Sequence, residues 1–314
     1  MPEQPATAPA SAPLLPPAFL PPPEPVTAAD GTRHHDGATY ARTSGYRPRL
    51  LDLHRPATAG AAPLVVWIHG GGWADGDRRY PPPTVPAELL FGSLLRAGLA
   101  VATIDYRHSL EAPFPAQLHD LRAAVRYLRR FAGELGVDPE RVAPWGESAG
   151  AHLAALAALA PAVTAEGLDL EGREGVSGGA GSGGLRAVVD WYGPTDLAAA
   201  AEAFPAELAV PPVGNPVTTL VGGGTGEPAD LLRAASPVSH VGAGAPPFLI
   251  VHGTADQVVP YAQSELLADR LAPYTDVELV PVPGADHLFA GAADIEGLVA
   301  LSVAFLAREL TSGR

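Results

Sequence analysis

Residues 141–159 read RVAPWGESAGAHLAALAAL, and this stretch decides the fold. A short apolar run, RVAPW, leads into Gly146-Glu147-Ser148-Ala149-Gly150. An alanine- and leucine-rich run follows, and such residues propagate a helix well. The pattern G-x-S-x-G between a strand and a helix has one physical use. It sets a serine on a sharp, strained turn, so that Oγ projects from the sheet edge. Glycines flank the serine because side chains there would collide with the neighbouring strand and helix. The helix start also brings positive dipole to the serine, where negative charge can develop.

Working outward, further buried strands are expected. LVVWIHG (64–70) and LAVATIDY (99–106) are continuous apolar runs, as strands covered on both faces should be. LRAVVDWYG (185–193), PFLIVHG (247–253) and VELVPVPG (277–284) read the same way. YARTSGYRPRLLDLHRP (40–56) suggests two short opening strands. Between these lie helical runs at 116–136 and 261–274, with another at 294–311. Strands alternating with helices imply an α/β fold. Its mostly parallel central sheet would be flanked by helices on both faces. Two stretches interrupt the pattern. Residues 171–184 are Gly/Ser-rich, and residues 198–246 read as an irregular excursion over the sheet's edge. Residues 1–29 are Pro-rich and are expected as an extended tail, with a single catalytic domain over 30–314.

Composition removes whole reaction classes. All 20 residues in the Lys+Arg count are arginine, and there is no cysteine. Schiff-base and pyridoxal chemistry, thiol nucleophiles and Cys-ligated metals are therefore excluded. A formal net charge of −14 disfavours nucleic acid and anionic membranes as partners. The first 32 residues hold no arginine and no unbroken apolar core, so no secretory leader is expected and the cytoplasm is the default. No cofactor or metal is called for. His34-His35 lack further ligating neighbours, and Gly179–Gly184, a formal G-x-G-x-x-G, follows no strand and opens no helix. No feature of the sequence defines an oligomeric state.

The remaining chemistry must come from serine and its partners. HGGGW (69–73) follows an apolar strand, and three glycines bare backbone N–H groups that can wrap an anionic oxygen. The N–H of the residue after the nucleophile would be another donor. His69 is read as structural, orienting this loop. Three later histidines are candidate bases. His287 lies in a loop after the last expected strand and is preferred. His252 sits in a strand, and His240 in the excursion. For the acid, Asp256 directly follows a strand and is preferred, with Asp196 as rival. Trp73, Tyr80 and Trp191 flank these loops and are candidate pocket residues.

With Ser148, Asp256 and His287 in that order, the chain resembles the esterase branch of the α/β-hydrolases. It is similar to hormone-sensitive-lipase-like carboxylesterases and to the bacterial acetylxylan/feruloyl esterase-like (BD-FAE) group. The likeness covers roughly residues 36–312 and is carried by HGGGW, DYRHS, DPERVAPWGESAGAHLAAL, VVDWYGPTDL, ASPVSHV, PPFLIVHGTADQVVP and VPGADH. It implies Ser148 as nucleophile, His287 as base and Asp256 as its partner. It also implies the N–H groups of Gly71, Gly72 and Ala149 as an oxyanion hole. One departure is Ala151, where lipase-like members often carry a second glycine. The implied substrate is a small ester, short-chain or acetyl. HGGGW also satisfies the HGGxW pattern of arylformamidases, which is the alternative. A prolyl-oligopeptidase-like peptidase and a non-catalytic binding protein are the weaker ones.

Overall fold

The computed structural model describes residues 17–164, 167–173, 175, 183–222 and 229–311. Residues 1–16 of the Pro-rich stretch, and most of the Gly/Ser-rich stretch, lie outside the described residues.

The strands are β1 (Val26–Thr27), β2 (Arg33–Ala41), β3 (Arg49–Arg55), β4 (Ala62–Ile68), β5 (Ala100–Ile104), β6 (Val137–Glu147), β7 (Val188–Trp191), β8 (Phe248–Gly253) and β9 (Val277–Val282). They form one sheet in the order β1-β2-β3-β5-β4-β6-β7-β8-β9. The first three pair antiparallel, and β3 joins β5 antiparallel. Every pairing from β5 through β4, β6, β7 and β8 to β9 is parallel. Strands β4, β5, β7 and β8 are buried at every position, which is why they read as unbroken apolar runs.

The helices are α1 (Ala87–Arg96), α2 (Ala116–Arg130), α3 (Ala132–Leu135), α4 (Ala149–Leu159), α5 (Leu197–Ala203), α6 (Pro216–Leu220), α7 (Ala229–Ala235), α8 (Ala262–Leu271) and α9 (Ile295–Thr311). Alternation along each strand splits the core in two. Leu64, Val66 and Ile68 of β4 face one way and pack with α2, α4 and α8. Val65 and Trp67 face the other way and pack with α1 and α9. The expected helix-covered parallel sheet is the one observed. Among the described residues, no helix is long and apolar enough to cross a membrane.

Two regions differ in detail from the sequence reading. The excursion between β7 and β8 is not irregular, since α5, α6 and α7 lie within it. Each is short, Pro205, Pro211 and Pro212 fall between α5 and α6, and Pro216 opens α6, so no helical period develops in the sequence. Asp196 and Asn215 cap α5 and α6 by accepting their first N–H groups. The second region is the later part of the Pro-rich stretch, which lies along the domain. Phe19 packs edge-on against Tyr127 and Phe131, and the Tyr127 hydroxyl donates to the Leu20 carbonyl.

One polar cluster ties the antiparallel end to the rest. Asp120 of α2, fully buried, lies between two guanidinium groups. Arg49 Nε of β3 is 3.3 Å from one oxygen, and Arg107 Nε is 2.8 Å from the other. Removing one member of a buried ion cluster strands the rest, at a cost of about 3–5 kcal/mol. Asp120→Ala is expected to lose stability of that order in urea denaturation. A loss under about 1 kcal/mol would show that the cluster is replaceable.

Candidate active site

Ser148 stands between β6 and α4 with φ +52° and ψ −120°, in the left-handed half of backbone space. A Cβ on Gly146 would lie 2.3 Å from the Gly150 carbonyl carbon, so that position cannot bear a side chain. Two bonds hold the strained residue. Its N–H donates to the Trp191 carbonyl at 2.8 Å, and its carbonyl accepts from His152 N–H at 3.1 Å.

The side chains preferred in the sequence converge here. His287 Nε2 is 3.1 Å from Ser148 Oγ, and its Nδ1 is 2.7 Å from Asp256 Oδ2. A carboxylate only accepts, so Nδ1 carries the proton and Nε2 is free to accept from the hydroxyl. Burial alone would raise the Asp256 carboxyl. Donors from His252 and His287, with the Val259 N–H, outweigh it and hold the group well below the usual carboxylate range. The residues not chosen have other work. Asp196 caps α5, and His240 Nε2 donates to the Ala234 carbonyl oxygen at 2.8 Å. Asp286 Oδ1 accepts the N–H groups of His287 and Gln257, which joins the two loops.

The glycine loop turns sharply beside Ser148. Gly71 and Gly72 have φ of +94° and +57°, and a Cβ on Gly71 would lie 2.3 Å from the Asp75 carbonyl oxygen. Among the described residues, the Gly71 and Gly72 N–H groups find no protein acceptor. Ala149 opens α4, so its N–H belongs to the first turn, which lacks intrahelical partners. His69 does orient the loop. Its Nδ1 lies 2.9 Å from the Gly70 carbonyl and its ring stacks on Tyr106, while burial pushes its pKa down to about 4.

These groups open on a cavity of about 580 Å³. Trp73 and Tyr80 line it, but in different ways. Trp73 is buried with Nε1 on His152 Nδ1 at 3.1 Å, whereas Tyr80 is 72% exposed. Trp191 does not line it. It shares the parity of Val189 on β7 and so faces the core with Trp67 and Trp145, its Nε1 donating to Ser302 Oγ at 3.0 Å. Sequence proximity to the loop after β7 pointed to the pocket, and strand alternation turns the ring away.

Strand order, carboxyl-edge loops and the serine turn define an α/β-hydrolase. The chain belongs to the BD-FAE family, whose model matches residues 51–271. Among similar proteins is Esterase LipQ of Mycobacterium tuberculosis, 32% identical over 80% of this chain and 56% of that protein. The chain thus spans about half the length of the curated relatives it matches. A solved truncated carbohydrate esterase from gut microbiota is 28% identical, with a TM-score of 0.77 over 91% of this chain and 99% of that one. Thermogutta terrifontis esterase 2, in a form phosphorylated by paraoxon, is 26% identical, with a TM-score of 0.63 over 87% and 93%.

Sequence reasoning weighs His252 only as a less favoured base and gives Glu147 and Asp190 no role at the site, yet all three are buried beside it. His252 touches Asp256, and Glu147 Oε1 accepts the Gly70 N–H at 2.8 Å, fastening the glycine loop to the serine turn. The third is Asp190 of β7, fully buried, with one oxygen on the Gly193 N–H and the other without a partner. Only its place inside G-x-S-x-G could have flagged Glu147; nothing in the sequence marks Asp190. Burial pushes Asp190 up to about 6, against 3.8 for a free carboxyl. The unfolded chain therefore sheds this proton first as pH rises. Stability falls from about pH 4 to about pH 6 and then levels, by on the order of 2–3 kcal/mol. Asp190→Asn removes the titration. Its stability relative to wild type, from chemical denaturation, should grow over that window and stay constant above it. A pH-independent difference would refute the assignment.

Proposed function

We propose that the protein is a serine carboxylic-ester hydrolase acting on short-chain or acetyl esters. One observation carries the reading: an unbroken hydrogen-bonded line from Ser148 through His287 to Asp256, opening on an apolar-walled cavity beside unpartnered N–H groups. Family membership supports it, as do the esterase and carbohydrate esterase names of similar proteins. The cavity, at about 580 Å³, falls in the range of small-molecule sites.

In this reading His287 Nε2 takes the Ser148 proton as Oγ attacks the ester carbonyl. Asp256 holds the imidazole in the Nδ1–H tautomer and stabilises its charged form. The Gly71, Gly72 and Ala149 N–H groups receive the oxyanion, and losing one such donor costs about 10²–10³ in kcat. His287 then protonates the leaving alcohol. Water, deprotonated by the same nitrogen, releases the acid from the acyl-serine. No step asks for a cofactor.

Hydrolysis of p-nitrophenyl esters from acetate to decanoate tests this. Activity should peak at the short esters, and Ser148→Ala should lower kcat by at least about 10⁴. Equal rates in both proteins would remove Ser148 as nucleophile. An aryl formamide turned over faster than every ester would move the assignment to an arylformamidase with the same machinery.

A further inference from the structure

Asp256 is gripped by two imidazoles, and the reaction uses only one of them. His252, at the end of β8, is fully buried. Its Nε2 lies 3.0 Å from Asp256 Oδ2 and 2.9 Å from the Val259 carbonyl oxygen. Carboxylate and carbonyl oxygens are acceptors, so Nε2 carries a proton and shares it between them. On the far side Nδ1 lies 2.6 Å from Ser264 Oγ of α8, itself fully buried. The two acceptors at Nε2 fix the tautomer of the neutral ring, so Nδ1 accepts from the Ser264 hydroxyl, which braces the ring that donates to Asp256.

The two oxygens of Asp256 are treated differently. Oδ1 accepts the N–H groups of Val258 and Val259, each at 2.8 Å. Oδ2 accepts from His287 at 2.7 Å and from His252 at 3.0 Å. Two imidazoles thus occupy one oxygen, and each limits how the other can sit. A histidine that only closed the 253–259 turn would need the Val259 carbonyl alone. The remaining groups near the ring are Tyr192 and Tyr261, edge-on at 6.4 and 5.6 Å, and the buried Asp190 on β7, within electrostatic reach.

We propose that His252 is a positioning residue of the hydrolysis: through Nε2–H, on a ring braced from the far side by Ser264, it holds Asp256 Oδ2 where His287 Nδ1 meets it. The inference rests on Ser148, His287 and Asp256 being the acyl-transfer site. His252 does not line the cavity, so its loss should leave substrate binding alone. It should free Oδ2 to accept more strongly from a single, less well-aimed His287.

The experiment compares wild type with His252→Leu, His252→Gln, Ser264→Ala and Ser148→Ala on p-nitrophenyl acetate across pH, with circular dichroism to establish folding. His252→Leu should lower kcat about 10- to 100-fold, the size of one hydrogen bond to a charged group, with KM unchanged. The acid limb of its kcat/KM profile should move to higher pH, because Oδ2 then serves the charged imidazole alone. His252→Gln, whose amide N–H can reach the same oxygen, should restore most of kcat. Ser264→Ala keeps the ring and its tautomer but loses the hydrogen bond that braces it, so it should fall between. A folded His252→Leu with the kcat and acid limb of wild type overturns the inference. Should that variant not fold, Ser264→Ala with wild-type kcat and limb does so. Wild-type turnover by Ser148→Ala instead fails the underlying reading, a different result from either.

Discussion

A methyl group on Gly150 would place its carbon 2.1 Å from the Ile68 carbonyl oxygen and 2.5 Å from that of His69. No bonded or packed arrangement allows such distances, so the first turn of α4 can press onto the end of β4 only because position 150 has no side chain. Much else depends on this contact. It seats α4 against the sheet, and the chain must then reverse between Glu147 and Ala149 within one residue. Ser148 takes a conformation that costs a non-glycine residue about 1–3 kcal/mol, and the surrounding hydrogen bonds hold it there. The same approach brings the glycine loop after β4 beside the helix start, where Glu147 fastens Gly70. A steric constraint between backbones thus sets the spacing between the serine hydroxyl and the N–H groups that surround it.

Three buried carboxyl groups lie near the carboxyl edge of the sheet, and their environments drive them apart. Asp256 receives four donors and stays ionised against its burial. Asp190 receives one and is pushed up to about 6. Glu147 is raised by burial, with the Gly70 N–H acting against the rise. Burial is common to all three, so the count and quality of donors separate them. The carboxylate able to stabilise an imidazolium is the one for which the fold supplies both a backbone turn and imidazole donors.

This division explains which parts could be read from the sequence. The parallel strands announce themselves because burial on both faces removes polar residues from them, and the serine turn because two glycines are sterically required. Asp256 and His287 follow from their places after β8 and β9. Other features leave no such trace. The helices α5 to α7 are shorter than two or three turns and separated by prolines, so neither period nor length marks them. Trp191 misleads because loop adjacency and strand parity disagree, and parity wins in a strand. His252 and Glu147 look like ordinary members of a strand and a turn. Their contacts are made across residues far apart in the chain, or around a tight turn whose side-chain directions sequence spacing does not give.

The cavity itself draws on different material from the proposed reacting groups. Ser148, Asp256 and His287 sit at the ends of β6, β8 and β9, but the walls include Pro81, Pro82 and Pro83 before α1, and Phe204 and Pro216 from the excursion. Proline offers no N–H and holds its φ nearly fixed. A wall rich in proline is therefore stiff and poor in donors, and the free N–H groups of Gly71, Gly72 and Ala149 stand out at the serine end. A carbonyl oxygen entering the cavity meets backbone donors mainly beside Ser148. Orientation of a bound carbonyl group can thus come from the scarcity of alternatives along the walls as much as from attraction at the serine. Because the walls and the Ser148–His287–Asp256 line lie on separate segments, the excursion can change in sequence, and with it the shape of the cavity, while the strand ends keep their geometry.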